Sequence, residues 1–105
     1  MMRIRYREDG VAHSLVLIGH ANYDNAGKDI VCAGASAIVY ALLGWLENNE
    51  DDLEYINADV HDGNVQVACA GGDRTAAAFE MTIIGLEQLA EAYPDHVQIN
   101  TGAAG

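Results

Sequence analysis

Residues 19–36 read GHANYDNAGKDIVCAGAS, from Gly19 to Ser36. One hydrophobic run closes on His20 and the next opens around Cys32, with short polar residues and a glycine between them. The pattern is strand, loop and helix start, and it brings an imidazole and a thiol to one end of a small sheet. That is a Cys–His nucleophile arrangement. Two plainer readings stand beside it: Cys32 as a small buried apolar residue, and His20 as a strand-end residue facing water.

On the N-terminal side, Met2 to Tyr6 alternates apolar and basic residues, the period of a half-exposed strand. Glu8-Asp9-Gly10 is a turn signal. His13 to His20 is a second, more apolar strand, expected near the centre of the sheet and paired with the first as a hairpin. Ala21 to Lys28 is the loop, in which Asn22, Asp24, Asn25 and Gly27 favour turns. Loops of that length in small domains often carry function.

On the C-terminal side, Asp29 suits the N-cap of a helix running from Ile30 to about Leu46. The middle of that helix, AIVYALLGWL, is apolar almost all round, so more than one side needs cover. A two-layer monomer covers one side, so the helix is expected to help form a homodimer interface. In the competing reading, Tyr40 and Trp45 simply lie in a surface groove. Leu53 to His61 and Asn64 to Ala70 read as two strands joined at Asp62-Gly63. Asp73 reads as the cap of a second helix, Arg74 to about Ala92, with Phe79, Ile83, Leu86 and Ala90 as its stripe and Met81, Ile84 and Leu89 widening it. Pro94 ends it. Val97 to Asn100 is a short last strand, and residues 101–105 form a tail expected to be disordered. The order ββαββαβ predicts an α+β fold, a two-layer sandwich of two helices on a mostly antiparallel sheet, as one domain over residues 1–100.

The chain has 105 residues, enough for one domain with a modest core. The longest uninterrupted apolar run, Ala37 to Leu43, is far short of the ~18 residues of a bilayer span, so no membrane partner is expected. Arg3, Arg5 and Arg7 precede no long apolar region, so no signal peptide is read. Sixteen acidic residues against five basic ones give a net charge of −11. Direct nucleic-acid binding, which needs a basic patch, is disfavoured. A basic protein or peptide partner is favoured, although acidity also serves solubility alone. The two cysteines, Cys32 and Cys69, fit free thiols in a reducing cytoplasm rather than a disulfide.

With Asp29 as cap, Cys32 is the third helical residue, where backbone N–H groups are unpaired and the helix dipole is positive. Both favour the nucleophilic thiolate. The same donors suit an anion developing on a substrate carbonyl. His20 is placed to hold Cys32 as an ion pair and to protonate a leaving amine. Asp29 reads first as a cap and second as a third catalytic member. Ser36, one turn after Cys32, supports Cys32 or His20 or bonds back to the Cys32 carbonyl. His13, His20, His61, Cys32 and Cys69 are metal-ligand types, but no short ligand pair joins them, so no metal or other cofactor is expected. His61 and His96 read as exposed turn histidines, Cys69 as a core residue, and Gly71-Gly72-Asp73 as a weak likeness to a phosphate loop.

Gly19-His20-Ala21, then Gly27, then Asp29-Ile30-Val31-Cys32-Ala33, then Ser36, resemble the signature of the ribosomal-processing cysteine proteases, the Prp family. Length, acidity and element order agree, so the resemblance covers residues 2 to 100. It implies that His20 is the catalytic histidine and Cys32 the nucleophile, with Gly19, Asp29 and Ser36 near the site. It implies a mobile substrate gate formed by Ala21, Asn22, Tyr23, Asp24, Asn25, Ala26, Gly27 and Lys28, and a homodimer. The implied substrate is a basic large-subunit ribosomal protein that loses a short N-terminal extension, cut after bulky aromatic residues and before a small one. Related enzymes process phage capsid or scaffold precursors. The chain departs from the pattern at Asp24, where a small residue, commonly alanine, is usual; the added charge bears on the gate and leaves the dyad untouched. Tyr23, Tyr40 and Trp45 are candidates to line a site for a bulky apolar residue. Two further readings stay open: a non-catalytic dimeric module that binds a ribosomal or phage assembly partner, and a redox module using Cys32 and Cys69.

Overall fold

A computed structural model describes residues 1–25 and 29–102. Ala26, Gly27 and Lys28 of the expected gate, and residues 103–105 of the expected tail, lie outside the described residues. The elements are β1 (Met2–Asp9), β2 (Ala12–Ile18), α1 (Ile30–Asn48), β3 (Leu53–His61), β4 (Asn64–Gly71), α2 (Asp73–Ala92) and β5 (Val97–Asn100), with a short 3-10 turn at Glu50–Asp52. The fold is therefore α+β with the order ββαββαβ.

The five strands form one sheet in the order β3-β4-β2-β1-β5. β2 is central, as its apolar content predicts. It pairs antiparallel with β1, setting Ile4 opposite Leu17, and with β4, setting Leu15 opposite Val67. β5 lies parallel to β1, with Met2 opposite Val97. Period-two alternation sends Met2 and Ile4 of β1 and His13, Leu15 and Leu17 of β2 into the helical layer, and leaves Arg3 and Arg5 exposed on the other face. A depression of about 660 Å³ lies on that open face between Arg3, Arg5, Val16, Ile18 and Gln98, away from the thiol.

Helix α1 buries Val31, Ala35, Val39, Leu42 and Leu46, a stripe at the helical period. Its length and mean hydropathy of 1.7 equal those of a membrane span, yet this stripe belongs to the core shared with the sheet and α2. Asn48 and Asn49 close its last turn by donating side-chain N–H groups to the Gly44 and Trp45 carbonyls, each at 2.8 Å. Helix α2 packs on α1 and buries Thr75, Phe79, Thr82, Ile83 and Leu86. Met81 and Ile84, expected to widen its stripe, instead face outward, Met81 at 73% exposure. Boundaries also differ: β1 runs on to Asp9, through the first two residues of the expected turn. Asp73 is the first helical residue, and Gly72 holds the cap position without a side-chain bond. Strand β2 stops at Ile18, because Gly19 at φ +90 turns the chain out of the strand before His20.

Candidate active site

Cys32 is the third residue of α1, and its position follows from the cap. Asp29 Oδ1 accepts the Val31 N–H at 3.0 Å and the Cys32 N–H at 2.9 Å. Asp29 Oδ2 accepts the Tyr23 N–H at 3.0 Å, so one carboxylate ties the helix start to the loop before it. Desolvation pushes this carboxyl upward, but the Cys32 and Tyr23 N–H groups, with the Cys32 thiol and the Asp24 N–H, outweigh it and hold it below its ordinary range. Asp29 is thus engaged as a cap. Asp24 is exposed and accepts the Asn25 N–H at 2.7 Å, a local turn.

The sulfur of Cys32 is half-buried and accepts the Ala21 N–H at 3.2 Å. His20 immediately precedes that donor and is about half exposed, at 52%. Its ring lies on Gly63: a Cβ at Gly63 would stand 2.9 Å from Nε2. The Gly19 N–H donates to the Gly63 carbonyl at 2.9 Å, fastening the end of β2 to the β3–β4 turn. Asp62 in that turn places a carboxylate oxygen 3.9 Å from His20 Nε2.

His20, Cys32, Ser36 and Tyr40 line one cleft of about 320 Å³ with Met2, Val60, His61, Asp62 and Gly63. Ser36 is exposed there, one turn along from Cys32. The cleft therefore joins an imidazole, a thiol at a helix N-terminus and an apolar wall. Of the three aromatic candidates, Tyr40 lines it. Tyr23 instead packs edge-to-face on Tyr93 and on His96, each at 5.3 Å. Trp45 lies in the groove between the helices under the Arg74 guanidinium.

Three residues near the site were missed or misread from the sequence. Asp62 and Gly63 read only as a turn, and no local signal says that the turn carries His20. His96, read as an exposed turn histidine, is half-buried, with Nδ1 3.0 Å from the Ala21 carbonyl. Of the remaining candidate ligands, His61 lines the cleft and pairs with Asp59 at 2.7 Å, while Cys69 and His13 lie in the core. Cys69 is buried, which pushes its thiol up, and His13 stacks on Phe79 at 4.6 Å. Both cysteines are free thiols. Among the described residues no three His, Cys, Asp or Glu side chains gather as a metal site.

A sequence profile described as Cysteine protease Prp matches residues 1–98. The ribosomal processing cysteine protease Prp of Mycoplasma genitalium is 33% identical over 86 residues, covering 82% of this chain and 85% of its own. The protein of the same name from Staphylococcus aureus strain Mu50 is 24% identical over 99 residues, covering 92% and 93%. The fold is shared with the crystal structure of an essential ribosomal processing protease Prp from S. aureus in complex with a covalently linked product peptide, at TM-score 0.80, 19% identity and coverage of 97% and 100%. SMU.848 from Streptococcus mutans aligns at TM-score 0.73, with 25% identity and coverage of 98% and 95%.

Proposed function

The chain belongs to the cysteine protease Prp family, and we propose that its activity is removal of an N-terminal extension from a basic ribosomal protein, with Cys32 as nucleophile and His20 as acid–base. The observation that carries this reading is the Cys32 sulfur at the first turn of α1, held by the Ala21 N–H at 3.2 Å in the cleft that His20 also lines. The Cys32 thiolate adds to the scissile carbonyl carbon, and the electron pair moves to the carbonyl oxygen. As the tetrahedral adduct collapses, imidazolium His20 gives its proton to the leaving amine, and the C-terminal product departs. Neutral His20 then takes a proton from water, whose oxygen attacks the thioester. Collapse releases the N-terminal carboxylic acid and returns the thiolate.

The exposed Tyr40 ring, with Val60 and Met2, supports a preference for an aromatic side chain before the cut. The net charge of −11 supports a basic substrate. The loop from Ala21 to Lys28 serves as the gate, and two free thiols suit action in a reducing cytoplasm. Copies pair through the helical layer, where Ala41, Trp45, Ala77 and Met81 leave an apolar groove.

The test is intact-mass analysis of an N-terminally extended ribosomal protein mixed with the wild type or with Cys32→Ala. The expected result is a single cut by the wild type only. Stable association without any cut would favour the non-catalytic binding module, and a cut only in phage capsid or scaffold precursors would reassign the substrate. His20→Ala is expected to slow cleavage by roughly 10³-fold or more with the fold retained by circular dichroism.

A further inference from the structure

The donor that meets the nucleophile is itself held from the far end of the chain. The Ala21 N–H points at the Cys32 sulfur, at 3.2 Å. The carbonyl of the same residue lies 3.0 Å from His96 Nδ1. A carbonyl oxygen only accepts, so Nδ1 carries the hydrogen and His96 donates. Ala21 is buried at 1% exposure, which leaves water little room to replace that donor.

His96 is fixed in turn. Its backbone N–H donates to the Tyr93 carbonyl at 3.0 Å, and its carbonyl accepts the Met2 N–H at 2.9 Å. Its ring meets the Tyr23 ring edge-on at 5.3 Å, two residues beyond Ala21. Between them Asn22 adopts φ 56, a left-handed turn that a free loop would leave readily. His96 and Tyr23 thus clamp both sides of that turn. Neither lies in the cleft with His20 and Cys32.

We propose that His96 is a positioning residue of the active site. By donating Nδ1–H to the Ala21 carbonyl it pins that residue, so that the Ala21 N–H stays on the Cys32 sulfur and stabilises negative charge there. Its ring does not line the cleft and acts on the sulfur through Ala21. The inference rests on Cys32 being the nucleophile.

Three measurements test it. The first is the rate of Cys32 alkylation by iodoacetamide at pH 7, located by peptide mass. The second is kcat and KM for cleavage, and the third is the melting temperature. His96→Phe keeps a ring against Tyr23 and removes the donor; His96→Asn restores an amide N–H where Nδ1 stood. His96→Phe is expected to lower alkylation and kcat about tenfold, the worth of one hydrogen bond, with KM changed less than about twofold. His96→Asn is expected to recover most of that loss. Wild-type alkylation in His96→Phe, or an equal loss in both variants that follows melting temperature, overturns the proposal and assigns His96 a purely structural role. A wild-type Cys32 that alkylates no faster than free cysteine instead overturns the nucleophile itself. Nitrogen NMR on the unmutated protein tests the donor itself even if His96→Phe does not fold. An Nδ1–H ring supports the proposal, and a ring protonated at Nε2 alone refutes it.

Discussion

At Gly63 one absent carbon keeps the His20 ring in place. The residue has φ +72, and an added Cβ would meet Nε2 at 2.9 Å. Gly63→Ala is therefore expected to lift the imidazole out of the cleft and to cost about 1–2 kcal/mol of backbone strain. Cleavage should fall at least about tenfold while melting drops by roughly 4–15 °C, read by kcat and by calorimetry. Asp62 contrasts with it. Its carboxylate is 97% exposed and 3.9 Å from Nε2. Solvent screens such a pair, so Asp62→Asn should change kcat by less than about fivefold. The proposed nucleophile, Cys32, and its proposed partner, His20, were legible as candidates because they lie within a single motif. His96 was not, since 75 residues separate it from the carbonyl it holds. Nothing local distinguishes it from a histidine in water.

At the scale of the element, α1 is positioned by its cap. Asp29 accepts from Val31, Cys32 and Tyr23, so Asp29→Ala loses the helix start and the loop together. A loss of about 1–2 kcal/mol is expected in urea unfolding, with slower alkylation of Cys32. The sign of its pH dependence follows from its carboxyl lying below the ordinary 3.8. The stabilisation is complete above that value and disappears as pH falls through the lower, folded one. Acid unfolding of Asp29→Asn should show a shallower slope in that window. Asp29 was readable as a cap because Asp precedes an apolar run directly. Asp73 carries the same signal and became the first helical residue, since an acidic side chain suits the first turn as well as the cap.

For the whole molecule, two features of the packing carry predictions. His13 is 2% exposed between Tyr6 and Phe79, with Nδ1 2.6 Å from the Tyr6 hydroxyl. Burial lowers its affinity for a proton, and the Glu8 carboxylate opposes this only in part. The unfolded chain then binds the proton more readily, so stability falls as pH drops below the ordinary 6.5 toward the lower folded value. The slope is at most about 1.4 kcal/mol per pH unit, and His13→Phe should flatten it in urea titrations between pH 7 and 5. The second feature is the uncovered groove of the helical layer, lined by Ala41, Trp45, Ala77 and Met81, where Met81 is 73% exposed. If copies pair there, Ala41→Arg should convert the dimer to monomer in sedimentation with cleavage chemistry at each cleft retained. An unchanged sedimentation coefficient would move the interface elsewhere.

The sequence by itself determined the element order, the central place of β2, the cap at Asp29 and the arrival of Cys32 in a helix first turn. Each depends on periodicity or on residues within one turn of each other, where the backbone leaves few alternatives. Only the tertiary structure decided which side chains surround that thiol. Pairing β5 alongside β1 brought His96 to Ala21, and pairing β4 with β2 brought Gly63 beneath His20. Such contacts come from strand pairing and core burial across the whole chain, and the residues that make them carry no mark of it in their own neighbourhood.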